Sequence, residues 1–251
     1  MIEKRIAVDT ADGPMTTLVW HPDGEGPFPV VVCYHAGPGM GEHIYSVARR
    51  FAEEGYFAAV PDLYHREGEM ITFDMSQAGI PDSPVVRHLY EVVARTTPQI
   101  MVADTIALGH ALNAEPAASD GPKGCIGFCH TTRTVIRAMA GYPDEFPVGA
   151  IMHPAYAVTD APDSPHRFVR DIRGEIYAGF GAADTIAPLP EQQPLIDELT
   201  RLGDRAVVEI HAHGGHGFLW PGPFYDPEGA VSAWHKTLEI FGRGLRTPTA
   251  A

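Results

Sequence analysis

Apolar positions along the chain fall into two alternating kinds of run. Short continuous runs, rich in Val, Ile and Ala, occur at "PVVVCY" (29–34), "YFAAVPDLY" (56–64), "KGCIGF" (123–128), "PVGAIMHP" (147–154), "GEIYAGFG" (174–181) and "RAVVEIHAH" (205–213). Such runs predict strands buried on both faces, the signature of a parallel sheet. Between them lie segments with apolar residues three and four apart, at about 42–54, 84–112, 130–141, 189–203 and 229–245, which predict helices. The second of these should break near Pro98, because a proline disfavours helical backbone in the residue before it. "EKRIAVD" and "MTTLVWHP", around the turn "TADGP", read as a hairpin-like start. Residues 66–84 are the least regular stretch, readable either as a flap or as a plain loop. There is no internal repeat, low-complexity tract or linker, so a single domain over residues 1–251 is expected. Strand and helix alternate from residue 29 onward. The expected class is therefore α/β, with a mostly parallel central sheet, helices on both faces and an antiparallel N-terminal edge.

Composition narrows the function classes. The formal net charge of −14 disfavours nucleic acid, whose phosphates need a basic face, and also anionic membranes. "MIEKRIAVDT" lacks the continuous apolar stretch of a signal peptide, and no window approaches the ~18 apolar residues that span a bilayer. Cys33, Cys125 and Cys129 are odd in number and lie in apolar settings. That usage suits a reducing, cytoplasmic compartment better than a disulfide scaffold. Cys125 and Cys129 are also too far apart to be bridged, since four extended residues span about 13 Å.

In open α/β sheets chemistry collects at the carboxyl ends of the strands. Here those ends deliver His35-Ala36-Gly37, then Cys129-His130, then Asp184 in "GAADTIAP", then His211, His213 and His216 in "HAHGGHGF". A thiol, a carboxylate and an imidazole thus emerge in the order nucleophile, acid, histidine, the chain order of an α/β-hydrolase triad. "GFCHT" fits a nucleophile elbow at Gly127, with cysteine for serine and with Thr131 where a glycine is usual. A helix N-terminus and a nearby imidazole make a thiolate more available. In this reading Cys129 attacks, His216 moves the proton, and Asp184 fixes the imidazole tautomer. The backbone N–H groups of His130 and Ala36 would hold the oxyanion. A metal site at His211, His213 and His216 with Asp184 is the competing reading, but no paired HxH donor or acidic cluster completes it. His35, His43, His65 and His153 also stand near strand ends, most simply as polar lining.

With "PVVVCYHAGPG", "AAVPDLYHR", "GCIGFC", "GAADTIAP" and "HGGHGF" in this order, the chain resembles the dienelactone hydrolase family over nearly its whole length. The resemblance implies an α/β-hydrolase with a Cys129-Asp184-His216 triad, oxyanion donors at Ala36 and His130, and no cofactor or metal. It implies a small-molecule lactone or ester substrate and a monomer or homodimer. The dienelactone-cleaving members carry a glutamate where this chain has His35, and an arginine for the substrate carboxylate where it has Trp220. These departures point away from dienelactone itself. They leave His35, Arg66, Phe218 and Trp220 as expected substrate-binding residues, with a more apolar pocket. The same triad would serve aryl esters, phosphotriesters or haloacids, and a non-catalytic ligand-binding protein on this fold is the rival from another class.

Overall fold

The computed structural model describes residues 1–246; residues 247–251 of the expected single domain lie outside the described residues. The chain forms two compact units, Met1–Asp120 and Gly121–Ala251.

The first unit holds β1 (Ile2–Thr10), β2 (Gly13–His21), β3 (Phe28–Cys33) and β4 (Phe57–Pro61), side by side in the order β1-β2-β4-β3. β1 and β2 form the predicted hairpin, and β2 runs antiparallel to β4. β4 and β3 are parallel, with Val31 opposite Ala58. The antiparallel N-terminal edge is therefore present. β1 is exposed along most of its length, as an edge strand is, whereas every residue of β4 is buried. Helix α1 (Glu42–Glu53) packs on β2, β3 and β4. The long helical pattern divides into α2 (Pro84–Arg95) and α3 (Pro98–Leu112). A proline opens each helix, where its missing N–H costs nothing, and the Thr97 hydroxyl accepts from the Ile100 N–H as the cap of α3.

The irregular stretch after β4 is strapped down rather than loose. The Met70 N–H donates to the Asp62 carboxylate at 2.7 Å, and the Phe73 N–H to the Pro38 carbonyl at 2.9 Å. Thr72 bridges Gly39, where a Cβ would stand 2.4 Å from the Ile71 carbonyl oxygen and φ is 85°, so no other residue fits. Phe73 then buries itself with Tyr64, Leu89, Val92 and Val93.

The second unit carries β5 (Ala118–Phe128), β6 (Val148–Met152), β7 (Glu175–Gly181) and β8 (Ala206–His211), all parallel in chain order. β6 is wholly buried, β7 nearly so, and Cys125 is sealed inside β5. α4 (Thr132–Gly141) packs on β6, α5 (Leu189–Arg201) on β8, and α6 (Pro227–Leu245) on β6, β7 and β8. Trp234 and Phe241 of α6 are buried packing residues. The register fixes where chemistry can gather: Phe128 pairs with Met152, Met152 with Gly179, and Gly181 with His211. The carboxyl ends of all four strands are thus level. No helix among the described residues is long and apolar enough to cross a membrane.

Candidate active site

Cys129 is the residue immediately beyond β5, and its backbone is left-handed, with φ at 56°. A residue with a Cβ rarely adopts that conformation, which costs about 1–2 kcal/mol relative to the right-handed one. It turns the chain sharply from strand into helix and lifts the side chain out of the sheet. Cys129 is accordingly half-buried, whereas Cys33 and Cys125 are sealed and burial pushes the Cys125 thiol far up. Gly127 is required by contact: a Cβ there would lie 2.8 Å from the Thr131 carbonyl oxygen and 2.9 Å from Val135 Cγ2.

The residues after Cys129 bind the turn with their side chains. The Thr131 hydroxyl accepts from the Phe128 N–H at 3.0 Å and donates to the Phe128 carbonyl at 2.9 Å. The Thr132 hydroxyl donates to the Cys129 carbonyl at 2.7 Å, and Arg133 Nε donates to the His130 carbonyl at 2.8 Å. Ala155, in the loop after β6, gives its N–H to the Cys129 carbonyl at 3.1 Å. The Cys129 and His130 carbonyls also accept from the Thr132 N–H, so the side-chain bonds reinforce the turn rather than rescue orphaned groups. Sequence reasoning missed these three side chains as caps. The available signal was the run of hydroxyl residues at a strand-to-helix junction.

Asp184, in the loop after β7, does two jobs. Its Oδ1 accepts from the Ile186 and Ala187 N–H groups at 2.8 and 2.9 Å, which holds the turn, and its Oδ2 lies 2.8 Å from His216 Nδ1. A carboxylate can only accept, so Nδ1 carries a proton and Nε2 is the nitrogen left for Cys129. Nε2 is buried and within reach of the Cys129 sulfur. Burial alone would lower the His216 pKa. The hydrogen bond with Asp184 and the interaction with Cys129 outweigh it and raise the value from 6.5 to about 10. At neutral pH the ring is therefore an imidazolium held between two groups that can carry negative charge. The structure brings Cys129, Asp184 and His216 together in one unit.

The other expected residues divide. His130 follows Cys129 and is fully buried. Phe218 is also fully buried, its ring 4.4 Å from that of His211, and so supports the site from behind. Trp220 packs 5.1 Å from Phe128 and 5.5 Å from His153, forming an aromatic wall beside the imidazole of His216. His211 is the last residue of β8, its Nε2 3.0 Å from the Tyr177 hydroxyl, and no group of three or more His, Cys, Asp or Glu among the described residues is placed to hold a metal ion.

In the first unit, His35 is sealed, with Nδ1 2.9 Å from the Ala36 carbonyl and Nε2 accepting from the Leu63 N–H at 3.2 Å. Burial, with the nearby charge of His43, drives its pKa down from 6.5 to about 4 despite the bond to Ala36, so it is a neutral clamp whose two nitrogens both serve backbone. It ties the loop carrying Ala36, which is itself buried, to the loop after β4. Arg66 grips Asp104 with two parallel bonds of 2.7 and 2.8 Å and donates Nε to Asp12 at 2.8 Å. An anion would compete there with two carboxylates.

A model of the Dienelactone hydrolase family matches residues 15–245, across both units. A protein of Synechocystis sp. named "Putative carboxymethylenebutenolidase" is 26% identical over 234 residues, covering 90% of either chain. One of the same name from Methylorubrum extorquens is 24% identical and covers 96% of this chain and 81% of its own. The crystal structure of a "Putative Dienelactone Hydrolase" from Klebsiella pneumoniae superposes with a TM-score of 0.82 at 21% identity, covering 96% of this chain and 98% of that one. A dienelactone hydrolase-like promiscuous phosphotriesterase from metagenomic libraries gives a TM-score of 0.74 at 20% identity, over 98% of this chain and all of its own.

Proposed function

This chain belongs to the dienelactone hydrolase family of α/β-hydrolases, and from that premise we propose that it cleaves a carboxylic ester or lactone with Cys129 as nucleophile. The observation that carries the reading is the left-handed turn at Cys129 beside an imidazole that Asp184 holds at 2.8 Å. In the proposed cycle, the Cys129 sulfur attacks the substrate carbonyl carbon and the carbonyl electrons move onto oxygen. The N–H of His130, next in the chain, receives that oxyanion. The oxyanion re-forms the carbonyl, the carbon–oxygen bond to the alcohol breaks, and the departing alkoxide takes its proton from His216 Nε2. Neutral His216 then removes a proton from water, which attacks the thioester, and the acid leaves as Cys129 recovers its electron pair. Asp184 keeps the proton on Nδ1 throughout, so that Nε2 alone exchanges protons.

An aromatic wall with Trp220 in it supports an apolar acyl or alcohol group rather than dienelactone itself. No disulfide joins Cys33, Cys125 or Cys129, which supports work in a reducing, cytoplasmic compartment. The test combines turnover with mass spectrometry. Wild-type protein should hydrolyse p-nitrophenyl acetate and members of a lactone panel, and an ester-like covalent probe should add its mass at Cys129. A Cys129→Ala variant with unchanged turnover, or labelling at Cys33 or Cys125 instead, would overturn the assignment.

A further inference from the structure

We infer that His153 is a positioning residue for His216: its ring braces the plane of the imidazole that Asp184 holds by a single bond. The inference rests on the reading of His216 as the proton carrier. The hydrogen bond at Nδ1 and the interaction with Cys129 both act in the plane of the His216 ring, so neither resists a tilt of that plane. A tilt swings Nε2 away from the nucleophile, and misplacements of about 1 Å can cost about a hundredfold in rate. A further contact is needed to set the plane. The rings of His153 and His216 are 4.7 Å apart, centroid to centroid, and cross at 70° in an edge-to-face arrangement. That geometry is attractive for aromatic rings and penalises rotation of either one.

His153 is well placed to be the fixed partner. Because Phe128 pairs with Met152, Cys129 and His153 are the first residues beyond two neighbouring parallel strands. Both have left-handed backbone, φ 56° and 39°. Two such residues side by side are uncommon, and conformations of this kind persist where the surroundings over-determine them. The surroundings of His153 do so. Its N–H donates to the Gly179 carbonyl at 2.8 Å, and its ring is boxed by Phe128 at 6.0 Å, Trp220 at 5.5 Å and Phe218 at 6.3 Å. Ala155, two residues on, binds the Cys129 carbonyl. The loop after β6 thus touches the nucleophile turn with its backbone and the imidazole with its ring. The wall of Phe128, Trp220 and Phe218 acts on His216 through His153.

The experiment compares His153→Phe, which keeps a flat ring, with His153→Leu, which keeps volume but has no ring. kcat and KM are measured on p-nitrophenyl acetate, and the low-field Nδ1 proton of His216 is followed by NMR. The expected result is a Phe variant within about threefold of wild type. The Leu variant should lose about ten- to a hundredfold in kcat with KM changed by less than about threefold, and its Nδ1 proton signal should weaken through faster exchange. If the Leu variant does not fold, His153→Met takes its place with the same expectation. A ringless variant with wild-type kcat and an unaltered Nδ1 signal overturns the inference, and so does a Phe variant as impaired as the Leu variant. Failure of the catalytic reading has a different signature: Cys129→Ala would then turn over like wild type, while the NMR comparison would still report on the ring contact.

Discussion

Replacing Cys129 by glycine and by alanine separates the turn from the chemistry. Both changes remove the thiol, so both should abolish turnover. They differ only in whether a Cβ remains on a residue whose φ is 56°. With alanine the left-handed backbone keeps its cost of about 1–2 kcal/mol, and with glycine that cost disappears. Glycine also loosens the unfolded chain, which works against it by about 0.4–1 kcal/mol. Taken at the middle of each range, the balance is about 0.8 kcal/mol in favour of Cys129→Gly. In ordinary right-handed or extended backbone the sign is reversed, glycine being the weaker by about 0.5–1 kcal/mol. Urea unfolding of the two variants, followed by tryptophan fluorescence with slopes checked for equality, reads the difference as a shift in midpoint. Equal stability would leave the elbow unsupported. A glycine variant weaker than the alanine variant by 0.5 kcal/mol or more would refute a left-handed Cys129, and with it the reason for expecting the thiol to stand clear of the sheet.

Two further outcomes follow from the titrating groups. Asp184→Asn keeps an oxygen for the Ile186 and Ala187 N–H groups but removes the charge facing Nδ1. The His216 titration midpoint, read from its ring protons by NMR, should therefore fall from about 10 toward 6.5 or below, and turnover should drop by about a thousandfold or more; an unmoved midpoint would refute the pairing. His35, whose folded pKa is about 4 against 6.5 unfolded, is favoured neutral in the fold, so its contribution is complete above pH 6.5 and is lost as pH falls through 4. Two and a half units correspond to about 3 kcal/mol, so wild type should lose about that much more stability than His35→Gln between pH 7 and pH 4, and parallel acid limbs would refute the neutral clamp.

What the sequence could show depended on how local the cause was. Buried strands declare themselves in runs such as "PVVVCY" because both faces are apolar, and a level row of strand ends follows from a parallel sheet. Cys129, Asp184 and His216 were therefore legible from order and position alone, and the structure brings them together. Roles that depend on where a side chain turns were not. Nothing in "YHAGPG" tells that both nitrogens of His35 serve backbone groups, one of them on Leu63, 28 residues away. Nothing in "LYHR" tells that Arg66 meets a buried Asp104, 38 residues on. His153 was visible as a histidine at a strand end, but its edge contact with His216 depends on the register of two strands and a left-handed φ. Long-range polar pairing leaves no periodicity behind, and periodicity is what a single sequence offers.

The "HTT" after Cys129 bears on the turn rather than on the substrate. A nucleophile elbow calls for small residues two positions to either side because strand and helix approach closely. In this chain the requirement is one-sided. At Gly127 the missing Cβ is faced by the backbone carbonyl of Thr131, which cannot move aside, so any side chain would force the turn open. At Thr131 the side chain points back to the strand end, where its hydroxyl meets both the N–H and the C=O of Phe128. A glycine there would leave those two groups to find other partners. Thr132 and Arg133 then cover the carbonyls of Cys129 and His130. The turn thus trades a glycine's freedom for side-chain bonds, which hold Cys129 in its left-handed conformation. Under the proposed function, the substrate is then read by aromatic side chains such as Trp220, 5.1 Å from Phe128, rather than by these caps.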